Sequence, residues 1–146
     1  MAEPPRIWTI EFAEKMVATL NADAKLKKLG RGLSDSIQLR CKGTPDGLDV
    51  CASYRLHEGS IELSNWEEGP AGGPLLAQPL DKNRFLARTT APYEIWIAMD
   101  KKEFTVMDAI LSPQYKFEGA KLKVLRHVRV FIRISDVAQA MEKRYY

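Results

Sequence analysis

Between Ile37 and Trp66 the apolar residues fall on every second position, a period that strands satisfy and helices do not. Ile37, Leu39 and Cys41 alternate with Gln38, Arg40 and Lys42; Val50, Ala52, Tyr54 and Leu56 alternate with Cys51, Ser53 and Arg55. Thr44-Pro45-Asp46-Gly47 joins the two runs, with Pro presetting φ and Gly tolerating a positive one. His57-Glu58-Gly59-Ser60 turns the chain again, and Ile61, Leu63 and Asn65 alternate with Glu62, Ser64 and Trp66. The expectation is a three-strand antiparallel meander. With Pro45-Asp46-Gly47 as a three-residue loop, Thr44 pairs with Leu48, and Cys41 then stands opposite Cys51 as a neighbouring reduced thiol.

The flanks change period. From Trp8 to Leu29, Phe12, Met16 and Leu20 recur every four residues, with Thr9 as N-cap and Gly30 and Gly32 at the end. Asn21-Ala22-Asp23 leaves one helix or two pieces open. Glu67 to Asp81 is dense in Gly and Pro and reads as a long loop, a lid or an insertion. Phe85 to Thr90 reads as a fourth strand stopped by Pro92. Tyr93, Trp96 and Ile97, then Val106, Met107, Ile110 and Leu111, carry helical spacings, the second run ending at Pro113. Tyr115 to Gly119 reads as a short strand. Ala120 to Tyr146 holds no Gly or Pro; its Val128-to-Ile134 alternation suits a strand locally, but the unbroken length favours helix. Residues 1–146 read as a single domain.

Composition excludes several functions. Lys and Arg exceed Asp and Glu by only 22 − 19 = 3 charges, too weak a field to make nucleic acid a partner. No stretch reaches the ~20 apolar residues of a membrane span, and the acid and prolines of Met1-Ala2-Glu3-Pro4-Pro5-Arg6 do not suit a signal peptide. A cytoplasmic protein with reduced thiols is expected. Catalysis has no candidate: His57 and His127 lie in no nucleophile motif, Cys41 and Cys51 lack metal-ligand spacing, and no phosphate-cradling Gly pattern occurs. No metal and no cofactor are expected.

Two features remain. The last third concentrates large apolar side chains, either plain core or the lining of an apolar site. Between Ala120 and Arg133 there are basic residues and no acid, with Arg126, Arg129 and Arg133 on one helical stripe. This is a solvated face or a surface for transient docking on anionic lipid headgroups.

Ala91-Pro92-Tyr93-Glu94-Ile95-Trp96, Met107-Asp108-Ala109-Ile110-Leu111 and Tyr115-Lys116-Phe117-Glu118-Gly119, in that order, resemble the sterol carrier protein domain family. A Trp-led helix followed by antiparallel strands in the N-terminal half is similar too. The resemblance implies an α+β fold: a mostly antiparallel, mixed sheet of about five strands, helices over one face, and an apolar tunnel between. It implies non-catalytic binding or transfer of a fatty acid, acyl-CoA, sterol or other lipid. Trp96, Met99, Met107, Ile110, Leu111, Phe117, Leu125 and Phe131 are then the expected lining. The alternative is an accessory or scaffold subunit of a lipid- or quinone-modifying enzyme system, with an enzyme or a second copy as partner.

Overall fold

Thr44 to Gly47 turns as its residues dictate: the Thr44 amide donates to Leu48 O at 2.7 Å and the Gly47 amide to Thr44 O at 2.8 Å. In the computed structural model, which describes residues 3–146, this turn joins β1 (Ser34–Lys42) to β2 (Leu48–His57). β3 (Ser60–Pro70) completes the expected antiparallel meander. Two further strands, β4 (Ala87–Pro92) and β5 (Lys116–Gly119), extend the sheet to the order β3-β2-β1-β4-β5. β1 and β4 run parallel and the other neighbours antiparallel, so the sheet is mixed.

The hairpin register differs from the expected one by a residue. Gly43 adopts φ +71° and its amide donates to Asp49 Oδ1 at 3.0 Å, which inserts one extra residue on β1 before the turn. Cys41 consequently pairs with Val50 and Arg40 with Cys51. A one-residue slip exchanges faces, so the two thiols lie on opposite sides of the sheet. Both are free and buried, and burial pushes both thiols up, away from the reactive thiolate.

A second irregularity, between Ser53 and Tyr54, lets Trp66 pair with Ala52 while Leu63 pairs with Tyr54. Trp66 thereby joins Ile61 and Leu63 on the apolar face instead of alternating away from them.

The N-terminal helical run is two pieces, α1 (Ile10–Asn21) and α2 (Ala24–Leu29). Thr9 caps α1 by accepting from the Phe12 amide at 3.3 Å, and Asp23 caps α2 by accepting from the Leu26 amide at 2.9 Å. α2 closes on the β2–β3 hairpin so tightly that a Cβ at Gly30 would stand 2.4 Å from Gly59 Cα, which only glycine permits. After β4 come α3 (Tyr93–Asp100) and α4 (Val106–Leu111), the latter carrying a full capping box between Thr105 and Asp108. The C-terminal run is also divided, into α5 (Lys121–Arg126) and α6 (Val128–Ala140), with His127 at φ −109°, ψ 23° between them.

The core lies between the sheet and α1, α2, α5 and α6, around Phe12, Met16, Leu20, Ile37, Tyr54 and Val130. Helices therefore cover one face, as expected. The Gly/Pro segment divides differently from expectation: β3 continues to Pro70, and the rest, with a 3-10 turn at Pro74–Ala77, lies against the opposite face. The fourth strand starts at Ala87, two residues later than read, and runs through to Pro92.

Candidate functional site

α1 places Phe12, Ala13 and Met16 over Ile37, Leu39, Tyr54 and Trp66 of the sheet, yet their side chains do not fill the space between. A cavity of about 170 Å³ remains, bordered on its other sides by Trp8, Trp96, Met99, Val106, Phe131 and Ile134. A second apolar cavity of about 60 Å³ continues towards β5, between Ala87, Phe117, Ile110 and Val124. The two share Ile37, Leu39, Val106, Tyr115 and Phe131 as walls. An apolar hollow of about 150 Å³ stays dry and takes a benzene-sized guest, so the larger cavity is of binding size.

All three tryptophans of the chain line this cavity. Trp8 and Trp96 meet with ring centroids 5.1 Å apart, and Tyr115 stands edge-on to Trp96 at 5.5 Å. The Trp96 indole N–H donates to Arg40 O at 3.0 Å, fixing the ring. Trp8 holds φ +60°, a left-handed conformation costing a bulky residue roughly 1–2 kcal/mol. Its neighbours pin it: Thr9 Oγ1 donates to Arg6 O at 2.7 Å, and Tyr146 Oη donates to Trp8 O at 3.3 Å. Strained backbone at a cavity wall is a recurrent mark of ligand sites.

Polar groups are few and specific. Tyr54 rises from mid-sheet into the wall, and among the described residues its hydroxyl makes no hydrogen bond; burial alone pushes its phenol far up. Burial also pushes the Tyr115 phenol up to about 12, and the Thr89 hydroxyl beside it opposes weakly. Among the described residues, Thr89 Oγ1 itself is buried without a partner in hydrogen-bonding geometry. At the rim Asp100 is bound by both Lys143 Nζ and Tyr145 Oη. Lys143 Nζ also donates to Ala138 O at 2.6 Å and Gln139 O at 3.3 Å, which uses all three of its protons.

No family model matches the chain, and no curated protein matches it in sequence. Solved structures match in shape. A conserved hypothetical protein of Thermus thermophilus, described as possibly a sterol carrier protein, superposes with TM-score 0.74 at 12% identity, covering 98% of this chain and 94% of that one. Sterol carrier protein 2 superposes with TM-score 0.73 at 12% identity, covering 93% and 99%. The sterol carrier protein domain 2 of Helicoverpa armigera gives 0.52 at 12%, covering 92% and 91%. This chain has the sterol carrier protein fold.

Within that fold the expected lining residues separate. Trp96, Met99 and Phe131 line the larger cavity, and Ile110, Phe117 and Phe131 the smaller. Met107, Leu111 and Leu125 line neither. α4 is six residues long and turns Ala109 and Ile110 inward, leaving Met107 42% and Leu111 76% exposed. On α5 the inward position belongs to Val124, so Leu125 is only half-buried. Most of the larger cavity's wall comes from α1, the sheet and α6, whose apolar stripes mark a buried face without showing that a hollow lies under it.

The basic stripe separates too. The break at His127 interrupts the helix that would align it. Arg133 is half-buried in a bidentate pair with Asp23, at 2.7 and 2.9 Å, and Lys123 pairs with Asp35 at 2.8 Å. Arg126 and Arg129 are exposed. The His57 Nδ1 atom lies 3.0 Å from Ser34 Oγ on exposed strand ends, outside either apolar cavity's lining, with no carboxylate hydrogen-bonded to the ring among the described residues.

Proposed function

We propose that this protein binds an apolar ligand, a lipid chain or sterol, between sheet and helices and carries it without transforming it. The observation behind this reading is the larger cavity, apolar, tryptophan-lined and empty of protein atoms. Apolar walls left without packed neighbours forgo dispersion contacts, which a guest that fills the space restores. The smaller cavity is the extension for a longer chain, reached past Val106 and Phe131, which would make one tunnel of the two.

The polar groups favour a particular headgroup. Lys143 has no proton left for a ligand carboxylate, and Asp100 repels one. A neutral headgroup that donates or accepts a hydrogen bond, a sterol hydroxyl, a fatty alcohol or an ester, suits Tyr54 and the rim better than a free acid. Organic extraction of the purified protein, followed by mass spectrometry, should recover neutral lipid. Tyr54→Phe should weaken binding of hexadecanol about three- to tenfold, the value of one hydrogen bond. Protein that carries no lipid and ignores hexadecanol, palmitate and cholesterol alike would overturn the carrier reading.

A second reading rests on Met107, Leu111 and Leu122, apolar and exposed on α4 and α5. They suit an accessory subunit that docks on a partner, or, with Arg126 and Arg129, a transient contact with anionic membrane. Charged substitutions there that abolish co-purification of a partner, with lipid binding intact, would favour it.

A further inference from the structure

The opposite face of the sheet holds a third cavity, of about 380 Å³, larger than either apolar one and within the usual range for small-molecule sites. Its floor is polar: Gln38 and Arg40 of β1, Cys51 and Ser53 of β2, Arg88 of β4. Its roof is the segment that follows β3, with Leu75, Gln78 and Phe85 over the floor. Arg40 and Arg88 are 2% and 5% exposed, which for arginine demands compensation.

They share one carboxylate. Arg88 Nε and Nη2 donate to Glu118 at 3.0–3.1 Å, while Arg40 Nη2 reaches the same Oε1 only at 3.6 Å. Arg40 spends Nε on Thr90 Oγ1 at 2.8 Å and Nη1 on Leu76 O at 3.3 Å. Among the described residues, Arg40 Nη2 and Arg88 Nη1 make no hydrogen bond. Burial and the neighbouring Arg88 both hold the Arg40 guanidinium below its ordinary pKa, the signature of cations crowded together. At the rim Glu67 is engaged by Asn65 at 2.8 Å and Asp81 by the Asn83 amide at 3.0 Å, with Arg84 beside them.

We infer that this cavity is a binding site for a small, water-soluble carboxylate monoanion, seated against Arg40 and Arg88. Arg40 and Arg88 share the Glu118 carboxylate, so one positive charge stays unpaired at the floor, which a monoanion neutralises and a phosphate dianion overshoots. Further out the rim, Arg84 against Glu67 and Asp81, is negative by one. A guanidinium fork matches carboxylate geometry, and the acidic rim selects against polyanions. Gln38 Nε2 donates to Ser53 Oγ and Ser64 Oγ to Ser53 O, each at 3.1 Å, which leaves the second Gln38 amide proton and the Ser64 oxygen lone pairs for hydroxyls on the remainder of the ligand. The site is separated from the lipid cavity by the sheet, and its occupancy is independent of the carrier reading.

Thermal unfolding of the full chain at constant ionic strength, with propionate, glycerate or inorganic phosphate replacing chloride, tests this. Glycerate and propionate should raise the melting temperature saturably, by about 5 °C at ten times their dissociation constant, and phosphate less. Arg40→Met should abolish the shift. Should that variant fail to fold, Ser64→Phe, at an exposed rim position, blocks the cavity and should abolish it while the hexadecanol response of the other face persists. No saturable rise above chloride, an equal saturable rise in Ser64→Phe, or a larger saturable rise with phosphate would overturn the assignment.

Discussion

Along β1, Ile37 and Leu39 meet helices while Gln38 and Arg40 meet a loop, so the two faces of one sheet can be compared strand by strand. On the helix face, β2 adds Val50, Ala52, Tyr54 and Leu56, and the gaps left between side chains are apolar. On the far face it adds Asp49, Cys51 and Ser53, and the gap is polar. Both faces are buried by different means. Helices bring long apolar side chains and satisfy their own backbone. The Gly/Pro segment is paired to the sheet by single bonds such as Arg40 to Leu76 O. The first kind of burial stabilises through packing; the second orders polar groups whose net contribution is near zero.

Substitutions that remove packing should therefore cost most. Leu20→Ala, at a fully buried position outside the cavities, should lose about 3–4 kcal/mol in urea denaturation. Glu118→Gln should lose about 3 kcal/mol because it strands two buried guanidiniums, whereas the triple change Arg40→Met, Arg88→Met, Glu118→Leu should be neutral or stabilising. A triple variant much weaker than Glu118→Gln would show that the polar face stabilises the fold after all. Filling the apolar cavity is the converse. Ala138→Leu, on its wall, should stabilise the ligand-free protein by up to about 1 kcal/mol and shrink its response to lipid.

The smallest effect is electrostatic. The Arg133 guanidinium holds the Asp23 carboxyl down at about 2, below its ordinary 3.8. A depressed carboxyl adds stability that is complete above its unfolded pKa and lost as pH falls through the folded one. That contribution should fade between about pH 4 and pH 2, and Asp23→Asn should show a shallower acid limb over that window. Acid limbs that coincide would mean the pair is solvated and idle.

Much of this was legible in the residues. The period-two runs fixed the meander, and Thr9, Gly30 and Pro113 marked helix ends where they occur. The polar side of each alternating strand was legible as well, but not as a second buried surface: nothing local says that a Gly/Pro loop will fold back over it. The Cys register depended on Gly43 taking a positive φ, and the Trp66 face on a bulge that a simple alternation hides. The break at His127 has neither Gly nor Pro nor a side-chain cap, so no residue announces it. Cavities are the least legible of all, because an empty space leaves no residue behind.

The larger of the two apolar cavities supplies its own reporter, since all three tryptophans line it. Their fluorescence should be titrated with octanol, dodecanol and hexadecanol in the native protein and in Ala138→Leu. Each CH₂ buried contributes about 0.8 kcal/mol, so affinity should rise roughly fourfold per carbon until the space is full, and Ala138→Leu should reach its plateau at a shorter chain. Affinity that does not depend on chain length, or a plateau at the same chain length in both proteins, would contradict a lipid chain in that cavity.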